Sequence, residues 1–257
     1  MTGDRSDVGG CAIVTGAGSG IGRATACRLA REGWPLALID VSVDGLAETR
    51  RLVGEQAPAV PFQADITVRP AVEAAIASAI EQFGGIRALV CCAGINPMVP
   101  TSLDIDEAFF DRVMDVNLKG MFFCNQAAIR FMVDHEGGAI VNLASVSGLI
   151  GWGGTSVYSA SKGGVIALTK ALAIEYAQAG IRVNAICPGA VRTPMVEDNQ
   201  ERLPDPEAAR RANAAHHPVG RIAEPEEIAE AVAYLVSASS TFITGSCLTI
   251  DGGLTAQ

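Results

Sequence analysis

The stretch that decides the fold is Cys11-Ala-Ile-Val-Thr-Gly-Ala-Gly-Ser-Gly-Ile-Gly22, an apolar run followed by glycines at every second position. The run predicts a buried strand, and residues 23–31 have a helical composition. A strand, a glycine turn and a helix in this order bind phosphate, because the free N–H groups and the positive dipole of the helix start attract negative charge. Position 21 is isoleucine, so the strict G-x-G-x-x-G pattern is not met. By itself the stretch is a weak match that an ordinary glycine-rich loop would also give.

A second apolar run, Leu36-Ala-Leu-Ile-Asp40, ends in a carboxylate. It lies about 20 residues beyond the glycines, where dinucleotide-binding folds place the group that binds the adenosine ribose hydroxyls. A carboxylate there repels the 2′-phosphate of NADP, and the neighbours Val41 and Ser42 supply no cation to relieve that repulsion. Alone, Asp40 is as consistent with a strand end or a helix cap. After the glycine turn, it predicts NAD as the cofactor and disfavours NADP.

Tyr158 and Lys162 are four residues apart, so on a helix both side chains project from one face. A free tyrosine has a pKa of about 10, and a nearby ammonium group is expected to lower that pKa toward the working range. Upstream, residues 138–145 predict a buried strand whose carboxyl end brings the Ser145 hydroxyl to the same crevice. A Y-x-x-x-K pair or a strand-end serine alone is common by chance; together they indicate a reaction centre.

The order and spacing of these motifs resemble the short-chain dehydrogenase/reductase family, in its single-domain branch, over essentially the whole chain. The family's T-G-x-x-x-G-x-G turn matches Thr15 to Gly22, and its P-G turn matches Pro188-Gly189. Its closing motifs are similar to residues 218–221, 225–228 and 251–253. The catalytic residues that the resemblance implies are Asn117, Ser145, Tyr158 and Lys162. The implied cofactor contacts are Gly16, Ser19, Gly20, Ile21, Gly22, Asp40, Asp65, Ile66, Ala93, Gly94, Tyr158, Lys162, Pro188, Gly189, Val191 and Thr193.

One departure from the family pattern falls after the fourth predicted strand. The usual N-N-A-G is Cys91-Cys92-Ala93-Gly94 here, so the amide side chains that tie the central sheet together are missing. Cysteine packs as a small hydrophobe and forms only weak hydrogen bonds. No reacting group is lost, and Ala93 and Gly94 remain expected backbone contacts to the cofactor.

The resemblance implies an NAD-dependent oxidoreductase that interconverts a secondary alcohol and a ketone by hydride transfer. Ser145 orients the substrate oxygen, and Tyr158 exchanges its proton. Lys162 stabilises the phenolate and hydrogen-bonds the nicotinamide ribose, while Asn117 holds a water that connects Lys162 to solvent. Two alternatives stay open: a 3-oxoacyl-thioester reductase, with Arg130 and Lys170 in a carrier-protein patch, and a dinucleotide-sensing or scaffold protein without activity. The length leaves no room for the larger substrate domain of the family's extended branch.

The chain length of 257 residues and the alternating strand and helix patterns predict one α/β domain. We expect a Rossmann-type, doubly wound, seven-stranded parallel sheet in the order 3-2-1-4-5-6-7, with helices on both faces. A flexible N-terminus (1–10) precedes a dinucleotide-binding catalytic domain (11–257) with a substrate lid at about 192–217. After the first two, the predicted strands are Ala59–Gln63, Ala88–Cys92, Ala139–Leu143, Arg182–Cys187 and Cys247–Ile250.

The net charge and the spacing of cysteines and histidines argue against several kinds of partner and site. The net charge of −9 argues against nucleic acid and anionic membranes, and neither a membrane-spanning run nor a signal sequence is present, so we expect a cytoplasmic protein. The seven cysteines lack paired spacing and are expected to be reduced core residues. His216 and His217 are adjacent on a polar stretch and His135 is isolated, so no metal site is expected.

The predicted substrate region is more apolar than charged, which favours a neutral or mildly polar secondary alcohol or ketone. It comprises Ile95, Asn96, Ser147, Gly151, Trp152 and Met195, of which Ser147, Trp152 and Met195 are expected to contact substrate together with Ser145 and Tyr158. The helix predicted over residues 156–179 is apolar on more than one side, with Ile166 and Ile174 outside its main stripe. This pattern is consistent with ordinary burial under the lid, but it favours a homotetramer, the dimer of dimers usual in the family.

Overall fold

The seven strands of the computed structural model, which describes residues 9–98 and 101–256, form one sheet. They are β1 (Cys11–Thr15), β2 (Leu36–Asp40), β3 (Ala59–Gln63), β4 (Ile86–Cys91), β5 (Gly138–Leu143), β6 (Ile181–Pro188) and β7 (Cys247–Ile250). All pairings are parallel, in the order β3-β2-β1-β4-β5-β6-β7. The predicted fold class, strand number and strand order are confirmed.

The boundaries of three strands differ from the prediction. Strands β5 and β6 begin one residue earlier, β6 also ends one residue later, and β4 runs over 86–91 instead of 88–92. The start of β4 was missed because the pairing with β1 is irregular there: Cys11 pairs with Ile86, whereas Ala12 pairs with Ala88. This one-residue irregularity breaks the pattern that sequence periodicity detects.

The helices cover both faces of the sheet. They are α1 (Gly20–Ala30), α2 (Val43–Val53), α3 (Arg69–Phe83), α4 (Glu107–Met114), α5 (Met121–Met132), α6 (Ser156–Tyr176), α7 (Pro194–Glu201), α8 (Pro206–Ala215) and α9 (Pro225–Val236). One core contains side chains of α1, α2 and α9, and the other contains side chains of α3, α5 and α6. Along β1, Ala12 and Val14 enter the first core, and Cys11 and Ile13 enter the second. Covering on both faces explains why the strands are continuously apolar.

A buried amide pair compensates for the missing amides of the family motif. Asn125 on α5 donates to Asn142 Oδ1 on β5 at 2.9 Å, and Asn142 donates back at 3.2 Å. Asn142 also donates to Thr169 on α6 at 3.1 Å, and the Asn125 amide lies 3.5 Å from the Cys91 sulfur. All of these polar side chains are fully buried. The centre of the sheet is therefore tied to two helices in spite of Cys91-Cys92.

Two segments outside the regular core bear on the site. Helices α4 and α5 are joined by a π-helical segment, Asp115–Gly120, which contains Asn117. Helices α7 and α8 lie within the predicted lid at 192–217. Of the N-terminal segment predicted to be flexible, residues 1–8 lie outside the described residues, and Gly10 is buried at the start of β1.

Candidate active site

A cavity of about 840 Å³ opens at the carboxyl ends of the central strands. It lies where the chain crosses from one half of the sheet to the other, which is where open α/β sheets bind ligands. Every predicted cofactor contact lines it, and so do Ser145, Tyr158, Lys162, Ile95 and Met195. The sequence separation of these residues exceeds 170 positions, so only the fold brings them together.

The glycine turn brings the start of α1 to the floor of this cavity. An added Cβ on Gly22 would lie 2.0 Å from the carbonyl oxygen of Gly16, so no side chain fits at position 22. The N-cap residue Ser19 is extended and its side chain makes no capping bond. The first N–H groups of α1 are thus left to a ligand, and a phosphate group fits both their charge and the close backbone approach.

Asp40 stands at the end of β2 with its carboxylate against the glycine turn. Oδ2 accepts the N–H of Gly18 at 2.8 Å, and Oδ1 accepts the N–H of Ser42 at 2.9 Å. The guanidinium of Arg23 lies beside this turn, but its hydrogen bonds go to other groups than the Asp40 carboxylate. It donates to the carbonyl oxygens of Gly18 and Gly45 and to Thr49 Oγ1 at 3.1 Å. A ribose with free hydroxyls can bind this carboxylate, whereas a 2′-phosphate would face its negative charge.

Ser145, Tyr158 and Lys162 form the polar centre of the cavity. Ser145 follows β5, and its Oγ accepts the N–H of Ser147 at 3.1 Å. Burial raises the pKa of Tyr158, and the bond with Ser145 opposes that rise. The Lys162 ammonium donates to the carbonyl oxygen of Leu143 at 2.6 Å, and burial lowers its pKa to about 8.

The expected lowering of the Tyr158 pKa by Lys162 is not what the structure shows. Lys162 Nζ lies 5.7 Å from the centre of the Tyr158 ring, and its charge is not among the causes that shift the pKa of Tyr158. The pKa of the phenol is raised and not lowered, because desolvation outweighs the hydrogen bond from Ser145.

Asn117 is fully buried and does not line the cavity. Its Oδ1 accepts the N–H of Ile95 at 2.8 Å, and its Nδ2 donates to the carbonyl oxygen of Ile95 at 2.8 Å and to Ser161 Oγ at 3.1 Å. A Cβ added to Gly94 would lie 3.2 Å from Asn117 Oδ1 and 3.6 Å from Lys162 Nζ. The amide thus anchors the strand-end turn beside the lysine. The water that the sequence-based interpretation gives to Asn117 stays a prediction.

Comparison with known proteins assigns the family. A family model described as Enoyl-(Acyl carrier protein) reductase matches residues 16–255. The crystal structure of levodione reductase is similar with a TM-score of 0.94 at 39% identity, covering 96% of this chain and 98% of that one. The crystal structure of a short-chain type dehydrogenase/reductase from Mycobacterium marinum gives a TM-score of 0.89 at 37% identity, covering 96% of each chain. Cis-4-hydroxycyclohexanecarboxylate dehydrogenase of Sinomonas cyclohexanicum is 42% identical over 95% of this chain and 96% of its own length.

The chain belongs to the short-chain dehydrogenase/reductase family. The predicted family is confirmed, and so is the predicted oxidoreductase class acting on alcohols and ketones. A relative of this chain is named for another alcohol, so the description of the family model does not fix the substrate of this dehydrogenase/reductase.

The predicted substrate residues are only partly brought together. Met195 and Ile95 line the cavity, whereas Asn96, Ser147, Gly151 and Trp152 do not. Trp152 packs edge-to-face on His216 beyond α8, with ring centres 4.8 Å apart. The carbonyl oxygen of Asn96 accepts the amide of Asn199 on α7 at 2.8 Å. Trp152 and Asn96 therefore contact the lid segment in this structure, at the edge of the cavity.

Several cavity residues of this dehydrogenase/reductase were missed from the sequence. They are Ile39, Val41, Ala64, Thr67, Cys92, Ala108, Asp111, Arg112, Asp115, Val116, Leu143, Ala144, Pro194 and Val196. Those at strand ends directly precede or follow predicted contacts, so the position of each strand end was the available signal. The others lie on helical segments: Ala108, Asp111 and Arg112 on α4, Asp115 and Val116 on the π-helical segment, and Pro194 and Val196 on α7. Nothing in the local sequence of the α4 residues distinguishes them from an exposed helix face.

Two further properties concern other kinds of function. Within residues 9–98 and 101–256, no group of three or more His, Cys, Asp or Glu side chains is placed to hold a metal ion. No helix in that part of the chain is long and apolar enough to cross a membrane.

Proposed function

We propose that this dehydrogenase/reductase uses NAD(H) to interconvert a cyclic, largely apolar secondary alcohol and its ketone. The observation that carries the proposal is that Ser145, Tyr158 and Lys162 line one cavity, with the Lys162 ammonium 5.7 Å from the centre of the Tyr158 ring. A pair of hydroxyls beside a cation can hold a substrate oxygen and move its proton, which is the protein's share of an alcohol oxidation.

The proposed roles follow from the positions of these groups. When bound, the nicotinamide accepts or returns the hydride. Ser145 holds the substrate oxygen through its hydroxyl. In oxidation, Tyr158 takes the proton of the alcohol; in reduction, it returns that proton to the ketone oxygen. Lys162 keeps a positive charge close to the phenol. Asn117 holds the 94–96 turn through its two bonds to Ile95, and Gly94 of this turn lies next to the Lys162 ammonium. The glycine turn, Asp40, Asp65 and the 188–193 segment would hold the cofactor.

The preference for NAD over NADP is proposed from Asp40. Both oxygens of its carboxylate are held by backbone N–H groups, so the carboxylate is fixed beside the position of the adenosine ribose. The following residue, Val41, is 59% exposed and brings no charge. Ribose hydroxyls can donate to a fixed carboxylate, whereas the 2′-phosphate of NADP would be repelled by its negative charge.

The substrate class is proposed from the apolar side chains of the cavity. Ile95, Ala144, Met195 and Val196 are among the residues that line it, and apolar lining favours a hydrocarbon ring over a charged chain. The similarity to a dehydrogenase of a hydroxycyclohexane carboxylate supports a six-membered ring. We therefore expect cyclohexanol-type alcohols and cyclic ketones as substrates.

The domain bounds, the assembly and the location of the protein are proposed as follows. Residues 11–257 form the catalytic domain, with the lid at 192–217, and the protein assembles as a homotetramer. Phe122 on α5 and Ile174 on α6 support assembly, because they are 37% and 82% exposed on the same side of the sheet. The seven cysteines are all free thiols, which supports a reducing, cytoplasmic location. No nucleic-acid or membrane partner is proposed.

The alternative of a 3-oxoacyl-thioester reductase is favoured by the description of the matching family model. The proposed carrier patch does not support it, because Arg130 lies 3.6 Å from Glu73 and is partly neutralised. A protein without activity is disfavoured, since Ser145, Tyr158 and Lys162 all meet in the cavity.

The test compares wild type with Tyr158→Phe. Turnover is followed by NADH absorbance with cyclohexanols, linear secondary alcohols and a 3-oxoacyl thioester, each with NAD and with NADP. We expect oxidation of cyclic alcohols with NAD, and a loss of kcat of at least about 1000-fold in the variant, with unchanged NADH binding. Tyr176, at the end of α6, supplies the control Tyr176→Phe. Substantial activity of Tyr158→Phe would reject the assignment of the acid–base, and thioester turnover alone would favour the alternative.

A further inference from the structure

His217 lies immediately behind one wall of the cavity. It follows α8 and is 4% exposed, although the sequence had placed it on a polar stretch. Its Nε2 accepts the N–H of Ala190 at 3.0 Å, and its Nδ1 lies 2.8 Å from the carbonyl oxygen of Asn213. A carbonyl oxygen can only accept and an amide N–H can only donate, so these two bonds assign the ring proton to Nδ1. Nε2 is therefore the only acceptor atom of the ring, and it accepts the N–H of Ala190 in the cavity wall.

The wall in question is the turn that follows β6. Pro188, Gly189 and Val191 line the cavity, whereas His217 does not. A Cβ added to Gly189 would lie 2.7 Å from His217 Nε2, so the ring packs directly on the backbone of the turn, on its far side from the cavity. On the other side of the chain, the carbonyl oxygen of Ala190 accepts the N–H of Ala223 at 2.9 Å. The conformation of the turn is therefore set partly by the ring.

His217 also ends the lid segment. The bond to Asn213 attaches the ring to the last turn of α8, and the neighbouring His216 packs on Trp152. The same two residues therefore hold the end of α8 against the turn after β6 and against the 149–155 loop. A displacement of α8 would move the acceptor away from Ala190.

We propose that His217 is a positioning residue that fixes the Pro188–Val191 turn for the nicotinamide end of the cofactor and couples the lid to that turn. The inference rests on the proposed binding of NAD(H) in this cavity. His217 acts through the N–H of Ala190 and contacts neither the substrate nor the cofactor.

Two substitutions separate the two bonds of the ring. His217→Gln places an amide oxygen near the position of Nε2, so it keeps the acceptor for Ala190 and loses the donor to Asn213. His217→Asn places its amide nitrogen near the position of Nδ1, so it keeps the bond to α8 and leaves the N–H of Ala190 without a partner. We expect the Kd for NADH to rise about tenfold, equal to about 1.4 kcal/mol, in His217→Asn and to stay near the wild-type value in His217→Gln.

The measurements are NADH titration by fluorescence, thermal unfolding without cofactor, and the KM for NAD against kcat. A role in positioning predicts a higher KM for NAD in His217→Asn and rescue in His217→Gln. A role only in capping α8 predicts the reverse order of the two variants, and that order would overturn the inference. His135→Asn is the matched control, because His135 is exposed and its Nδ1 likewise bonds the carbonyl oxygen of Phe131.

A second perturbation reaches the same contact from the turn. In Gly189→Ala, the methyl group would point at the ring, so it should raise the Kd for NADH about as much as His217→Asn does. An unchanged Kd in Gly189→Ala would contradict the inference, whether or not the His217 variants fold. Failure of wild type to bind NADH would instead reject the proposed function on which the inference rests.

Discussion

At the scale of single residues, burial acts on the two titratable groups of the reaction centre in opposite directions. It raises the pKa of Tyr158 and lowers the pKa of Lys162 to about 8, so it favours the neutral form of both. The ammonium group is nevertheless needed close to the phenol for the proposed chemistry. A buried charge kept for catalysis should therefore reduce the stability of the cofactor-free fold.

Lys162→Met tests whether the buried ammonium group lowers the stability of the fold. Lys162 loses its proton near pH 8 when folded, against its ordinary 10.5 in the unfolded chain. Between these values the unfolded state binds more protons, so the free energy of unfolding should rise with pH in wild type. In the variant this rise should be absent. At pH 7 the variant should be inactive and about 2 kcal/mol more stable, after allowance for the lost bond to Leu143.

Urea unfolding without cofactor at pH 7, 8 and 9 measures the effect. Lys170→Met is the control, because Lys170 is an exposed lysine on the same helix. Parallel pH dependences of wild type and Lys162→Met would contradict the prediction.

Asp40→Ala tests the choice of cofactor. Removal of the carboxylate removes the repulsion of a 2′-phosphate, which is a matter of several kcal/mol for close like charges. We expect the ratio of kcat/KM with NAD to kcat/KM with NADP to fall about 100-fold or more. Asp44→Ala, which removes an exposed carboxylate from the first turn of α2, should leave that ratio unchanged. Equal ratios in wild type and Asp40→Ala would show that the preference has another origin.

Site residues differ in whether their positions can be predicted from the sequence. Asp40 and the Tyr158–Lys162 pair were predictable, because their spacing is local to one strand end or one helix. His217 was not, because its partner Ala190 is 27 residues away and only the packing of α8 brings them together. The direction of the Tyr158 pKa was missed for a related reason: it depends on desolvation, which spacing does not reveal.

At the scale of elements, the fold depends on contacts between helices and strands that the motifs do not encode. The strands were predicted nearly in full, since a parallel sheet covered on both faces requires continuous apolar runs. The π-helical segment at Asp115–Gly120 was not predicted, because its sequence is ordinary for an α-helix. It sets Asn117 beside the 94–96 turn, and π-helical turns are frequent at functional sites.

Asn125→Leu tests the element-scale tie at the centre of the sheet. The substitution leaves Asn142 Oδ1 without its partner, whereas Nδ2 keeps Thr169, and an unsatisfied buried polar group costs about 1–3 kcal/mol. We expect a loss of about 2 kcal/mol in the free energy of unfolding, measured by urea denaturation. The double variant Asn125→Leu/Asn142→Leu should lose less than the two single variants together. Additive losses would mean that the two amides do not act as a pair.

At the scale of the whole molecule, two exposed apolar side chains lie on helices that cover the same face of the sheet. Helix α6 buries Val157, Val165 and Leu172, yet leaves Ile174 82% exposed. Phe122, 37% exposed, lies on α5 on the same side of the sheet. Exposed apolar side chains on the helices of one face are a feature of subunit interfaces, and they motivate the proposed homotetramer.

Ile174→Asp tests the proposed homotetramer. Four carboxylates would be buried in an apolar interface without partners, so the assembly should dissociate to dimers or monomers at micromolar concentration. Light scattering coupled to gel filtration should give about four times the chain mass of 26.6 kDa for wild type, and a smaller mass for the variant. Leu103→Asp is the control, because Leu103 is 91% exposed on the segment before α4, away from α5 and α6. A wild-type monomer would reject the tetramer, whereas a tetramer that survives Ile174→Asp would place the interface on another face of the sheet.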